Sequence, residues 1–235
     1  MFGEILQSFK GRNATHRQSG DKTLGLITDW HCHILPGVDD GLQSMEEALE
    51  VLSKYEALGI AEVWLTPHIM EDIPNTTSGL RQRFAELAAA YSGSVVLRLA
   101  AENMLDNLFE ERLATGDLLP IGGDGSHLLV ETSYYNPPID FDGALQRIRQ
   151  KGFFPLLAHP ERYVYMGRDD YKRLKAQGVK FQLNLPSLVG GYGEEVRKKA
   201  EWLLRNGYYN VAATDLHRLT VLSRLRPLEN FPNEL

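Results

Sequence analysis

The chain has 235 residues, 43% of them hydrophobic, and a formal net charge of −6. That length and apolar content suit one large domain with a substantial core. The acidic balance argues against a general nucleic-acid binder, which would show a basic stripe.

Residues 1–23 read as a leader, an amphipathic turn followed by polar residues, with no apolar run of the kind a signal peptide carries. Nowhere does the chain approach the roughly 18 consecutive apolar residues of a membrane span. The lone cysteine, Cys32, excludes an intramolecular disulfide. These features predict a cytoplasmic protein without membrane insertion, and the leader is a candidate contact for a homo-oligomer. The remainder, 24–235, reads as a single domain. A first strand, 24–30, runs into His31-Cys32-His33, and Asp39 and Asp40 follow in the next loop. A helix over 44–58 opens on a capping box of Ser44 and Glu47 and stops at Gly59. Met45, Ala48, Leu49, Leu52 and Tyr55 give it an apolar stripe. The second strand, 60–66, leads to Thr66-Pro67-His68, and a helix follows over 78–91. The third strand, 95–100, precedes Glu102 and a helix over 106–115. After a turn at 119–126, the fourth strand, 128–131, ends on Glu131 and the chain turns helical over 141–151. The fifth strand, 153–158, ends at His159 in His159-Pro160-Glu161-Arg162, before a helix over 169–177. A sixth strand, 179–183, a helix over 194–206 and a seventh strand, 209–213, bring the chain to Asp215-Leu216-His217.

Seven strands with six helices between them, roughly seven strand-then-helix units, imply a parallel sheet, open or closed into a barrel. In a closed barrel all strand C-termini share one face, and nearly every strand here ends at a side chain able to bind metal. Residues two apart in an extended segment point the same way, so His31 and His33 suit one ion while Cys32 points away. Imidazoles and carboxylates without thiolate favour zinc, iron or manganese. Alone, each residue would pass for an ordinary hydrogen-bonded or solvated group; their common position makes the case for a metal cluster. His16 and His127 fall outside the pattern and read as surface residues. Trp30, Trp64 and Trp202 read as packing, and Glu46-Glu47 and Glu110-Glu111 as solvated helix faces.

The stretch from Asp29 through His31, His33, Asp40 and Gly41, with Thr66-Pro67-His68, Glu102, Glu131, His159-Pro160-Glu161-Arg162 and Thr214-Asp215-Leu216-His217, resembles the polymerase-and-histidinol-phosphatase superfamily. It looks most like its branch of bacterial tyrosine-protein phosphatases that regulate capsule and exopolysaccharide synthesis. The resemblance implies a distorted (β/α)7 TIM-like barrel in the α/β class. It implies two or three divalent ions, manganese first, with iron or zinc as alternatives. By resemblance, His31, His33, Glu102 and Asp215 hold one ion. Glu102 also bridges to a second, held with Glu131 and His159, and Asp40, His68 and His217 hold the third. Arg162 binds the substrate phosphate. A second arginine, expected five residues beyond the last motif, is Leu222 here, and Arg218 or Arg224 stands nearby to replace it.

At such a site water attacks phosphorus in line, and the leaving phenolate, with a pKa near 10, needs little protonation. Asp40 is a ligand by resemblance and also a candidate acid. Cys32 is followed at the phosphate-loop distance by Val38, not arginine, which disfavours a cysteine mechanism. The implied substrate is a phosphotyrosine protein, a polysaccharide-synthesis tyrosine kinase, with loops 70–79 and 184–193 open to a peptide. A small-molecule phosphatase of the histidinol-phosphate type, with Asp72 or Glu161 meeting the substrate amine, is the alternative. A non-catalytic metal-binding scaffold is the third reading.

Overall fold

A computed structural model describes residues 27–225; the leader lies outside them. β1 (Thr28–Cys32), β2 (Glu62–Leu65) and β4 (Val96–Leu99) form one sheet in the order β1-β2-β4. β3 (His68–Ile69), β5 (Glu102–Met104), β6 (His127–Glu131), β7 (Phe154–Leu157), β8 (Lys180–Asn184) and β9 (Val211–Ala213) form a second, in that order. All the paired strands are parallel.

The two sheets are parts of one wall. β2 and β3 are halves of a single strand interrupted at Thr66-Pro67, and β4 and β5 are halves of another interrupted at Ala100-Ala101. Pro67 brings no N–H to the ladder, so regular pairing lapses there. It resumes with His68 opposite Glu102. The wall closes where the end of β1 meets the chain leaving β9. The Asp215 amide donates to the His31 carbonyl at 2.8 Å, and the His33 amide to the Leu216 carbonyl at 2.9 Å. With the two interrupted strands each counted once, the chain is the expected distorted (β/α)7 barrel.

Strand alternation sorts the core into two layers. Leu128, Val130 and Leu157 pack outward against the helices, while Leu129, Leu156 and Ala158 point inward with Trp64, Ala100 and Ile121. Trp30 stacks on Trp64 inside the barrel, ring centroids 6.0 Å apart.

The helices are α1 (Met45–Ala57), α2 (Thr77–Ala90), α3 (Asn107–Thr115), α4 (Phe141–Gln150), α5 (Arg168–Ala176), α6 (Leu185–Leu188), α7 (Glu194–Arg205) and α8 (Thr220–Arg224). The capping box of α1 is present, and Gly59 at φ 78° ends the turn beyond it. The buried stripe of α1 is Ala48, Val51, Leu52 and Tyr55; Met45 and Leu49, expected in it, sit at its half-buried edge. α6, α8 and a 3-10 turn at Pro160–Arg162 have no counterpart in the expected elements, being too short to show a helical period.

A buried carboxylate seals the seam. Asp29, on β1, accepts hydrogen bonds from the Thr214 amide (2.8 Å), the Thr214 hydroxyl (2.6 Å) and the Tyr55 hydroxyl (2.6 Å). It thereby ties β1 to α1 and to the segment after β9. Among the described residues no helix is long and apolar enough to cross a membrane.

Candidate metal centre and active site

β1 delivers His31 and His33 with their rings on one side, and buried Cys32 points the other way, its thiol donating to the Trp64 carbonyl at 3.4 Å. Each ring is oriented through its far nitrogen. His31 Nδ1 lies 3.1 Å from Gln182 Oε1, and His33 Nδ1 lies 2.8 Å from Asp39 Oδ2. A δ-nitrogen proton directed at an oxygen leaves the ε-nitrogen as a free lone pair. The two Nε2 atoms face each other at 2.9 Å.

The register of β3 on β5 sets His68 beside Glu102. His68 Nδ1 lies 3.1 Å from Glu102 Oε2 and 3.0 Å from Glu131 Oε1, while Nε2 looks toward Asp40 Oδ1 at 3.5 Å. His159 Nε2 is 3.0 Å from Glu102 Oε1. Asp215 Oδ1 is 3.5 Å from Nε2 of both His31 and His33, and His217 Nε2 is 3.3 Å from Asp40 Oδ1. His159 and Asp215 occupy the left-handed backbone region, at φ 31° and 48°. For non-glycine residues that conformation costs about 1–3 kcal/mol each, strain that tends to gather at functional sites.

The decisive feature is what these atoms fail to do. Glu102 Oε2 is buried within 3.1 to 3.3 Å of three imidazole nitrogens, yet it makes no hydrogen bond. Glu131 Oε1, His68 Nδ1 and His159 Nδ1 are likewise buried without a partner. An orphaned buried polar atom is expensive. Ligand atoms roughly 2.1 Å from one cation and at right angles are themselves about 3 Å apart, the spacing found here. Three groups converge closely enough to share an ion: His31, His33 and Glu102; His68, Glu102 and Glu131; and His33, Asp40, His68 and His217. All nine residues expected as ligands therefore meet at one end of the barrel. Glu131 approaches His68 at 3.0 Å and His159 at 3.9 Å, and His159 also faces Glu102 at 3.0 Å.

The electrostatics describe a trap for positive charge. Burial works against ionising Glu102, but His31 and His68 outweigh it and hold the carboxyl well below its ordinary range. Burial, reinforced by Glu102, pushes Glu131 up. Burial also disfavours protonating His31 and His68. Glu102 and Asp215 nevertheless lift His31 to about 9, and Glu102 and Glu131 lift His68 to about 10. Asp40 is drawn down to about 2 by its hydrogen bond to His217. A carboxylate so firmly ionised is suited to ligation.

Arg162, on the turn after His159, donates from Nη1 to Asp215 Oδ2 at 2.9 Å. It stands on the wall of a cavity of about 430 Å³ that also includes His68, Glu102, His159 and the exposed Arg218 and Arg224. Several expectations change here. Glu161 is fully buried and accepts from the Asn184 amide, the Ser187 hydroxyl and the Tyr209 hydroxyl, so it faces away from the cavity. Asp72 is exposed and does not line it. Loop 184–193 is partly filled by α6, whose four residues are all buried. His127 is half-buried and bonds Ser126, away from the cluster. His16 lies outside the described residues. The sequence reading missed Asp39 and Gln182 as orienting groups, and Tyr134 and Tyr192 as neighbours of Arg162. Asp39 had a signal, its place beside Asp40, whereas Gln182 had none.

The sequence profile of the family described as "Capsular polysaccharide synthesis, CpsB/CapC" matches residues 27–227. The chain belongs to that family. Among its relatives, the tyrosine-protein phosphatase CpsB of Streptococcus pneumoniae is 27% identical over 206 residues, covering 82% of this chain and 84% of CpsB. The tyrosine-protein phosphatase YwqE of Bacillus subtilis is 25% identical over 199 residues, covering 82% of this chain and 78% of YwqE. In fold, the chain matches a solved structure from the work on YwqE and CpsB, described there as unique metal-dependent tyrosine phosphatases. That match has a TM-score of 0.76 at 24% identity and covers 83% of this chain and 81% of the other. The lactonase Lmo2620 of Listeria monocytogenes shares the architecture more distantly, with a TM-score of 0.53 at 12% identity over 89% of this chain and 85% of that one. The CpsB/CapC barrel thus carries its candidate metal centre at the strand C-termini, where parallel barrels place their chemistry.

Proposed function

We propose that this CpsB/CapC family member is a metal-dependent phosphatase of protein phosphotyrosine. Its substrate is a tyrosine kinase of polysaccharide synthesis. The observation that carries the reading is the set of orphaned, mutually facing nitrogen and oxygen atoms around Glu102, with an arginine on the same cavity wall. His31, His33, His68, Glu102, Glu131, His159, Asp215, Asp40 and His217 hold two or three divalent ions, manganese first. Such ions lower the pKa of water toward 7 and offset charge on phosphoryl oxygens.

The chain's own residues do the rest. Arg162 presents a planar fork to two non-bridging phosphate oxygens, a geometry lysine cannot reproduce. Arg218 or Arg224, exposed on the same wall, supplies the second positive contact. Asp39 and Gln182 keep the rings of His33 and His31 aimed inward. A phenolate of pKa near 10 leaves without a dedicated acid, consistent with the firm ionisation of Asp40.

The family's relatives named as tyrosine-protein phosphatases support the substrate class. The histidinol-phosphate reading loses the acidic subsite it required, because Glu161 is consumed by buried hydrogen bonds. The test is a competition: chelator-treated protein, with and without Mn²⁺, offered a phosphotyrosine peptide and histidinol phosphate together. Manganese-dependent release from the peptide is expected. Preferential release from histidinol phosphate would move the chain to the small-molecule branch.

A further inference from the structure

Arg162 sits against two aromatic rings. Its guanidinium carbon lies 4.3 Å from the Tyr134 ring centroid and 4.1 Å from the Tyr192 ring centroid. The jaws come from different parts of the barrel, Tyr134 from the segment after β6 and Tyr192 from the segment after α6. One edge of the guanidinium is fixed as well, by Nη1 on Asp215 Oδ2. Tyr134, Arg162, Tyr192 and Asp215 all line the same cavity.

The segment carrying Tyr192 is built to make this approach. It reads Gly190-Gly191-Tyr192-Gly193, with Gly190 at φ 80° and Gly193 at φ 92°, where other residues are strained. At Gly191 a Cβ would sit 2.9 Å from the Pro186 carbonyl oxygen, the same atom that accepts the Gly191 amide at 2.9 Å. The loop is braced from below by Glu161, which accepts from the Asn184 amide and the Ser187 hydroxyl. Asn184 in turn donates to Asp215 Oδ2 at 2.8 Å and to the Tyr192 hydroxyl at 3.3 Å. Tyr134 is fixed through its carbonyl, which accepts the Val164 amide at 2.8 Å.

We infer that Tyr134 and Tyr192 are positioning residues for the phosphatase reaction, an aromatic clamp that locks the plane of Arg162 so that its free N–H edge meets the phosphoryl oxygens. This rests on the phosphatase reading above for what Arg162 binds. The clamp itself rests on the ring distances alone. An arginine free to swing loses part of its binding to conformational entropy, whereas a stacked one is pre-organised.

The test uses the full chain loaded with Mn²⁺. Tyr134→Leu and Tyr192→Leu are expected to lower kcat/KM on a phosphotyrosine peptide by about tenfold each, while Tyr134→Phe and Tyr192→Phe, which keep the ring, stay within about threefold. In an Arg162→Ala background the same Leu substitutions are expected to add nothing, because the group they position is gone. Equal losses with and without Arg162 would overturn the clamp and leave the phosphatase reading standing. A second readout is independent of turnover. The Arg162 Nε–H resonance should be shifted upfield by the two rings and should move back in Tyr192→Leu. A resonance at the ordinary arginine position in the unmodified protein would overturn the clamp whatever the activity, and an inactive protein with a shifted resonance would overturn only the phosphatase reading.

Discussion

Asp29 and Glu102 are both carboxylates fully buried in the barrel wall, and the protein surrounds them in opposite ways. Asp29 has three strong donors, two from Thr214 and one from Tyr55, and they tie the first strand to the last. Glu102 has three imidazoles around Oε2 and no hydrogen bond there. Glu161, two residues past His159, resembles Asp29: buried, fully partnered and turned away from the cavity. Burial alone therefore does not mark a functional carboxylate. A satisfied buried acid holds the fold, and an unsatisfied one among imidazoles is a candidate cation ligand.

Mutating the two kinds of acid should separate activity from stability. The largest effect is expected for Glu102→Ala: turnover of a phosphotyrosine peptide falls by about 1,000-fold, roughly 4 kcal/mol of barrier, with an unchanged circular dichroism spectrum. Unfolding of that variant would place Glu102 with Asp29 as a structural acid. Asp29→Ala should do the reverse. It strands Tyr55 and Thr214 and costs on the order of 3 kcal/mol in denaturant unfolding, while the folded fraction keeps its metal affinity.

Glu161 gives the comparison a pH dependence. Burial raises its pKa to about 7, against three hydrogen bonds that pull it down. A raised carboxyl binds its proton more tightly in the folded state. Its contribution is therefore full below the unfolded value of about 4.5 and is lost as pH rises toward 7. Folding stability should fall by up to about 3 kcal/mol across that interval, and Glu161→Gln should flatten the slope. An unchanged slope in that variant would show that the carboxyl does not titrate there.

Smaller effects probe the supporting groups. Asp39→Asn should weaken Mn²⁺ binding by about 10–100-fold, as expected when an outer partner of a ligating histidine is altered. Unaltered affinity would mean that His33 needs no such orientation. Arg162→Ala should lower turnover by about tenfold, near 1.4 kcal/mol, with metal content intact. Unchanged turnover would remove Arg162 from the site.

The contrast between the two acids also separates what was legible in the sequence from what was not. The candidate metal-binding set was legible because a parallel barrel gathers every strand's C-terminus on one face, whatever the fine geometry. His31, Glu102, Glu131, His159 and Asp215 needed only that rule. The break at Pro67 was visible as a proline, but the continuation of the strand to His68 depends on pairing with β5. Asp29 appeared only as the first residue of a motif. Its role depends on Thr214, 185 residues away, and on Tyr55 from α1. Gln182 carried no signal because its partner His31 lies 151 residues away. Glu161 was misplaced for a related reason, since one turn of 3-10 helix decides whether it or Arg162 faces the cavity. Periodicity locates a residue along an element and does not say which way a three-residue turn presents its side chains.

The most direct measurement is the stoichiometry of Mn²⁺ bound by the chelator-treated protein and by Glu102→Ala, followed by electron paramagnetic resonance alongside hydrolysis of a phosphotyrosine peptide. The account predicts two or three ions per chain, activity that returns as they bind, and loss of both on removing Glu102. Full hydrolysis by the metal-free protein, or unchanged binding in Glu102→Ala, would contradict it.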